Sequence, residues 1–449
     1  MRFSEPVVKA SGASWGFDTS SVATASIPPH PLGIKPLGNQ YFASEPNARA
    51  SLGTFKLFPD EMLMLFLEYL DASSLRLVGS TSKFLYAASR YDDLWKTLYL
   101  DNINLSAFAT GIPAHNEIAR LENLDYTEFA ANWAEKPFIL TKCIQDWPAS
   151  KEWSLDFFLN RHKDVVFRAE SVDWTFDTYA KYMESTTDES PLYLFDRRFA
   201  EQMGISVGRE PGAAYWKPEC FGPDLFELLG EERPAHRWLI IGPQRSGSTF
   251  HKDPNATSAW NAVIQGAKYW IMFPPDAEVP GVYVSSDKSE VTSPLSIAEW
   301  LLEFHTEGRR VPGCIEGVCA QGEILHVPSG WWHLVVNLEP GIALTQNFIP
   351  ESPSLYHLSE AIEFLRDKPA QVTGFKRDIA DPYQLFSDRL RSENPELLEK
   401  ALAVLEARKA GRKRKWDAAV AGDGQDGEGG FSFGFGEDDD EGEDEDEVL

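Results

Sequence analysis

The sequence predicts an α+β chain, with a small helical module ahead of a β-rich barrel or two-sheet roll flanked by helices. Three observations carry this. Apolar residues between Phe58 and Trp95 recur at helical spacing. From about Phe129, short apolar runs alternate with turns punctuated by Gly and Pro. A length of 449 residues exceeds one ordinary core, so more than one folded unit plus tails is expected.

Residues 1–53, rich in Ser, Ala and Pro, lack periodicity and are expected to form a disordered arm. Residues 54–100 form the helical module. Pro59, Asp60 and Glu61 make a favourable first turn, because Pro is tolerated there and acids suit the positive helix end. Met62, Leu65, Phe66, Tyr69 and Leu70 follow at helical spacing, a second helix restarts at Asp71–Ser74, and a third leads to Leu94 and Trp95. Residues 101–128 are expected to be a linker.

Over 129–352, the runs KPFILTKCI, DVVFRAE, PLYLFD, HRWLIIGP, SAWNAVIQGAKYWIMFPP, GEILHVPSGWWHLVVNL and GIALTQNFIP read as strands. Several are apolar on both faces, as where helices cover the outside. Helices are expected at 154–160, 177–183 and 297–304, and amphipathic helices at 353–366 and 383–409, completing a C-terminal helical region at 353–410. Residues 411–449 then read as the end of a basic patch, with six cations in the eight residues Arg408–Lys415, followed by a disordered acidic tail.

Composition narrows the function. There is no run of 18 apolar residues, so no membrane span is expected. The N-terminus MRFSEPVVKASGASWGF has no apolar h-region of a secretory signal. Four scattered cysteines point to a reducing compartment, cytoplasm or nucleus. The net charge is -27, of which residues 417–449 supply 14 acids and no Lys or Arg, leaving about -13 elsewhere. A core that acidic is not expected to bind nucleic acid directly.

The helical stretch LFPDEMLMLFLEYLDASSLRLVGSTSKFLYAASRYDDLWKTLYL resembles an F-box, with an opening Pro-x-Glu helix, a Leu-Asp pair and a closing Leu-Trp. Phe58 stands where that pattern has Leu. The resemblance implies docking on the adaptor of a cullin-RING ubiquitin ligase, with Pro59 and Leu63 as the expected contacts.

His-x-Asp followed much later by His is the sequence form of a facial triad that holds Fe(II) and leaves three positions open for a bidentate cosubstrate and O2. The tripeptide occurs twice, at His162–Asp164 and His251–Asp253. The first ends a helix-like run and reads as a loop; the second precedes a hairpin bearing Trp260 and Asn261.

Around it, GPQRSGSTFHKDPNATSAWNAVIQGAKYWIMFPP, with PLYLFD and GEILHVPSGWWHLVVNLEPGIALTQNFI, resembles the phosphatidylserine-receptor-like group of Jumonji-C oxygenases, associated with lysyl hydroxylation and arginine demethylation. The resemblance implies a double-stranded β-helix of the jelly-roll, cupin-like type. It makes His251, Asp253 and His333 the Fe(II) ligands, and Lys268, Thr345, Tyr193 and Asn261 the contacts of 2-oxoglutarate, with Asn347 and Ser248 as further pocket candidates. Strand alternation agrees: His333 shares a face with Trp331, Val335 and Asn337, and Thr345 shares one with Asn347.

Cys314-x4-Cys319 reads as two free thiols, because a closed zinc site needs four ligands. The expected function is an Fe(II)- and 2-oxoglutarate-dependent hydroxylase of protein side chains, lysine first, consuming O2. Its protein substrate could be a histone or an RNA-processing factor. N-methyl demethylation is the alternative within the same chemistry; a non-catalytic F-box adaptor is the alternative outside it. The basic run reads as a nuclear-import signal, so the nucleus is the expected location, with the cytoplasm also open.

Overall fold

Apolar side chains at a helical period build the first part of the chain. The computed structural model describes residues 48–101, 103–285, 291–292 and 296–422. It divides into two units, Met1–Leu98 and Tyr99–Leu449. Helices α1 (Asp60–Glu68), α2 (Ala72–Gly79), α3 (Lys83–Ala88) and α4 (Asp92–Asp101) follow a 3-10 stretch at Ala48–Leu57. Pro59 sits at the N-cap of α1; Asp71 and Ser82 cap α2 and α3 by accepting from the Ser74 and Leu85 amides. Leu67, Leu75 and Leu94 form the core.

Two expectations are corrected here. Residues 48–53 belong to this unit, because Leu52 is buried and the Ser51 hydroxyl accepts from the Phe84 amide. The rest of the expected arm lies outside the described residues. Leu63 is buried, so it supports the unit from within, while Phe58, Met62, Leu65, Phe66 and Tyr69 are the exposed apolar residues around α1.

In the second unit a nine-stranded and a four-stranded sheet pack face to face. Their strands are β1 (Ala119–Leu121), β2 (Phe138–Leu140), β3 (Val166–Ala169), β4 (Val172–Thr175), β5 (Leu194–Asp196), β6 (Arg237–Gly242), β7 (Gly247–His251), β8 (Ser258–Gln265), β9 (Ala267–Phe273), β10 (Ile315–Ala320), β11 (Ile324–Val327), β12 (Trp332–Asn337) and β13 (Gly341–Phe348). The larger sheet runs β1-β2-β11-β8-β13-β6-β5-β3-β4 and the smaller β10-β9-β12-β7. All pairings in these two sheets are antiparallel except β1 with β2. This is the expected roll.

Period-two alternation sorts each strand. Ala259 and Val263 of β8, Trp270 and Met272 of β9, and Val335 of β12 meet between the sheets. Trp260, Ala262 and Ile264 face outward into a second core, under the helices at Pro148–Glu152, Leu155–Arg161 and Phe176–Ser185. Tyr269, Ile271, Phe273, Leu334 and Val336 face outward from the smaller sheet, beneath helix α5 (Ile297–Glu303). Strands with two buried faces explain the continuous apolar runs in the sequence.

The described residues of the stretch expected to be a linker are structured. Leu105 and Ile118 are buried, Asn116 donates to the carbonyls of Arg309 and Cys314, and β1 extends the larger sheet. Its apolar residues are too sparse to show a period, and their partners lie about 200 positions away in sequence, as the bond from Asn116 to Cys314 illustrates. Helices α6 (Tyr356–Asp367), α7 (Pro382–Glu393) and α8 (Pro395–Gly422) enclose a separate core of Leu358, Ile362, Phe386, Leu390 and Leu405. Pro395 divides the expected 383–409 helix in two, and α8 runs past the expected end at 410, so the basic run is helical. The acidic tail beyond Gly422 lies outside the described residues. No helix among the described residues is long and apolar enough to cross a membrane.

Behind the smaller sheet, Glu316 is fully buried and accepts from Arg309 at 2.5 Å, from Tyr269 and from His305. Burial opposes its charge, but the bonds from His305, Arg309 and Tyr269 outweigh that and hold its carboxyl below the ordinary value. A depressed carboxyl contributes stability above its unfolded pKa and loses it as pH falls through the folded value. Glu316→Ala strands the half-buried Arg309 and should destabilise this unit by about 3–5 kcal/mol. In urea unfolding, the gap between wild type and variant should narrow on acidification below about pH 4; a gap independent of pH would contradict the ionised assignment.

Candidate active site

The smaller sheet brings the two histidines together by register. His251 and His333 stand directly opposite on neighbouring strands β7 and β12, with ring centroids 4.1 Å apart. Asp253 follows β7 by two residues, at the entry to a turn in which Asn255 and Ala256 adopt positive φ. That turn is clamped from the C-terminal side: Asn255 donates to the Thr373 carbonyl at 2.9 Å and accepts from its amide at 3.0 Å. Candidate ligand atoms of His251, Asp253 and His333 all lie within 4.8 Å of one another, the cluster of this kind among the described residues. His162 and Asp164 are not part of it.

The side chains are oriented as metal ligands require. His251 Nδ1 donates to the Thr249 carbonyl at 2.8 Å, and His333 Nδ1 to the Trp331 carbonyl at 3.1 Å. A carbonyl only accepts, so each Nδ1 carries the proton and each Nε2 keeps its lone pair. Burial, then the neighbouring His251, holds His333 neutral. Burial raises the Asp253 carboxyl above its ordinary value, against opposing influences from His251 and Asn347. Asp253 Oδ2 is buried with no hydrogen-bond partner, a costly arrangement without a cation. This donor set fits a divalent ion of octahedral preference and leaves positions for other ligands.

A cavity of about 730 Å³ joins the triad to most of the other expected residues: Tyr193, Ser248, Asn261, Thr345 and Asn347 all line it. Thr345 Oγ1 donates to the Trp260 carbonyl at 2.9 Å, and the Asn347 amide to Thr257 Oγ1 at 2.8 Å. Asn261 Oδ1 is buried without a partner. Lys268 is the exception, lying one side chain behind the lining. It is fully buried, and its Nζ donates to Tyr193 Oη at 2.6 Å and Asn337 Oδ1 at 2.8 Å. Burial pushes its pKa down to about 7. A Cβ on Gly242 would collide with Ser246 and crowd Tyr193 and Asn337, so glycine keeps this end of the site open.

Several residues here had no assigned role in the sequence. Asn337 shares the inward face of β12 with His333, a signal that was available. Ser246, which accepts from Asn337 at 2.9 Å, and Glu170, Phe195 and Trp238, which line the cavity, had no such signal; Arg245, the sequence's alternative to Lys268 as a carboxylate partner, lines the cavity too. Cys314 and Cys319 are free thiols in different cores, as expected.

The geometry predicts a metal-binding phenotype. Asp253→Ala removes one of three anchors and little packing, so the fold should survive. Affinity for Mn(II), measured by calorimetry, should fall beyond the roughly 10- to 100-fold that loss of an outer-shell partner costs. Unchanged Mn(II) affinity would remove Asp253 from the ligand set.

Comparison with known proteins agrees with this geometry. The family described as Cupin-like domain matches residues 127–353, and the one described as F-box-like matches residues 56–101. The arginine-specific demethylase JMJ22 of Arabidopsis thaliana is 33% identical over 453 residues, covering 88% of each chain. The bifunctional arginine demethylase and lysyl-hydroxylase psr-1 of Caenorhabditis elegans is 33% identical over 278 residues, 57% of this chain and 65% of its own. The 2-oxoglutarate and iron-dependent oxygenase JMJD4 of Gallus gallus is 31% identical over 291 residues, 56% of this chain and 65% of its own. With an F-box-like module followed by a cupin-like roll, this chain belongs to the Jumonji-C 2-oxoglutarate- and iron-dependent oxygenases, in the arginine demethylase and lysyl hydroxylase group.

Proposed function

We propose that this oxygenase hydroxylates a carbon of a protein side chain, with lysine the first candidate. The observation that carries the reading is the meeting of His251, Asp253 and His333 in a cavity backed by a buried lysine. In this reading the triad holds Fe(II). Lys268, Tyr193, Thr345 and Asn261 receive 2-oxoglutarate, and Asn347 and Ser248 shape the space beside it. Bound iron and 2-oxoglutarate supply the oxidising chemistry, in which O2, 2-oxoglutarate and a C–H bond become CO2, succinate and a C–OH group. The chain's own residues prepare for it. The backbone carbonyls of Thr249 and Trp331 keep both Nε2 atoms free for metal. Asn347 steadies Asp253, and the apolar walls at Trp270, Val327 and Val335 limit water.

N-methyl demethylation is the second reading, favoured by the activity in the name of the Arabidopsis relative. Mass spectrometry of candidate lysine and methylarginine peptides, incubated with protein, iron, 2-oxoglutarate and O2, separates the two. Gain of one oxygen supports hydroxylation, and loss of a methyl supports demethylation. Neither product, together with no consumption of 2-oxoglutarate, would favour a non-catalytic adaptor.

Lys268 gives a pH test. With a pKa near 7, it must be protonated to meet a carboxylate, so 2-oxoglutarate affinity should fall as pH rises from 7 to 9. Lys268→Ala should weaken binding by roughly 10- to 100-fold at pH 7 and flatten the profile. Equal affinity in both proteins would move the carboxylate partner elsewhere, with Arg245 the next suspect.

The F-box-like unit is proposed to dock on a cullin-RING ligase adaptor through the exposed residues around α1. Phe66→Ala with Tyr69→Ala should release that adaptor in a pull-down and leave 2-oxoglutarate turnover intact, since removing interface anchors commonly costs about 2 kcal/mol or more. Adaptor recovery equal to wild type would sink the assignment. The basic helical run at 408–415 is proposed to direct nuclear import; a fluorescent fusion carrying Lys413, Arg414 and Lys415 as Ala should shift to the cytoplasm, and an unchanged distribution would refute it.

A further inference from the structure

We propose that Glu170, with the paired rings of Phe195 and Trp238, receives the cationic side chain of the substrate, lysine or arginine, in the cavity. The proposal rests on the oxygenase reading of the cavity and assigns the residues that select what enters it.

Glu170 and Asp253 are the carboxylates among the described residues lining the cavity. Asp253 belongs to the triad cluster. Glu170 sits in the short turn between β3 and β4 at φ +49, a conformation that Gly or Asn adopts more easily. The turn aims the side chain at the cavity: one carboxylate oxygen accepts from the Tyr193 amide at 3.1 Å. The other oxygen makes no hydrogen bond or ion pair among the described residues. Ala169 pairs with Val172, so the two-residue turn itself demands the positive φ; what turn formation leaves unexplained is an exposed glutamate there, half-satisfied and lining a cavity.

The rings supply the second half of the argument. Trp238 of β6 and Phe195 of β5 stand on neighbouring strands of the larger sheet, and both line the cavity. Their centroids are 5.4 Å apart with planes tilted by 31°. Phe195 retains 39% of its surface exposed although it lines the cavity. Aromatic faces attract lysine and arginine, and a carboxylate beside them discriminates these from neutral side chains of similar length.

Arg245 makes the charge of Glu170 decisive. It also lines the cavity, at φ +76, and forms no ion pair among the described residues. With Glu170 neutral, Arg245 would be the remaining charged side chain outside the triad among those lining the cavity and would repel an entering cation.

Four labelled 12-residue peptides, identical except for Lys, Arg, norleucine or Glu at the centre, test this. Each would be titrated by fluorescence anisotropy against the full chain with Mn(II) and 2-oxoglutarate, as wild type, Glu170→Gln and Trp238→Leu. Glutamine keeps an acceptor for the Tyr193 amide, so 2-oxoglutarate affinity is the control for its structural role. The wild type should prefer the lysine or arginine peptide over norleucine by roughly tenfold or more. Glu170→Gln should reduce that preference to less than about twofold, and Trp238→Leu should weaken the cationic peptides several-fold.

Equal binding of cationic and norleucine peptides by wild type would overturn the proposal, as would an undiminished preference in Glu170→Gln. Loss of 2-oxoglutarate affinity in Glu170→Gln would also overturn it, showing that the residue acts through Tyr193. Absence of peptide-free 2-oxoglutarate decarboxylation by iron-loaded wild type would count against the oxygenase reading instead, leaving the peptide preference to be judged on binding.

Discussion

The pairing of β7 with β12 places His251 opposite His333, and the chemistry of the cavity depends on that register. Side chains alternate strictly along a strand, so a slip of one residue would turn His333, Val335 and Asn337 outward and bring Leu334 and Val336 into the cavity. The register is held from both sides. Outward-facing Leu334 and Val336 are fully buried beneath α5 and its neighbours, so exposing the wrong face is costly. Gly247 lies so close to the Val335 carbonyl that any side chain there would force the strands apart.

Around this pair the roll buries more polarity than an apolar core tolerates, and its placement separates structure from function. Glu316 is fully surrounded by Arg309, Tyr269 and His305. That network is closed, lies on the outer side of the smaller sheet and ties it to the segment after α4, since Arg309 also donates to the Phe108 carbonyl at 3.0 Å. Inside the roll the groups are left open: Asp253 Oδ2 and Asn261 Oδ1 have no partner, and Lys268 bonds only neutral groups. Buried polar atoms without partners are expensive. A cation at the triad and a dicarboxylate toward Lys268 would satisfy them.

The scaffold also divides the cavity's walls between the two sheets. In the larger sheet β5 pairs with β6 on one side and β3 on the other, and this run of strands brings Tyr193, Phe195 and Trp238 to the cavity wall. Substrate recognition can therefore vary on β5, β6 and the β3–β4 turn without disturbing the triad, which belongs to the other sheet and the turn after β7.

Much of this was legible in the sequence because it is local. Strand alternation placed His333 with Asn337 and Thr345 with Asn347, and Pro59 with the following acids marked the start of α1. The His-x-Asp spacing, set in a hairpin context, separated His251 from the His162 decoy. What the sequence could not decide depends on partners remote in the chain. The face that each α1 residue presents required the neighbouring helices, so Leu63 was expected at the surface and lies buried. Residues 101–128 looked like a linker because the anchors of this stretch are near positions 309–316. Glu170, Phe195 and Trp238 carry no motif; only the pairing of β3, β5 and β6 brings them to one cavity. Local periodicity determines which way a side chain points, and tertiary packing decides what it meets there.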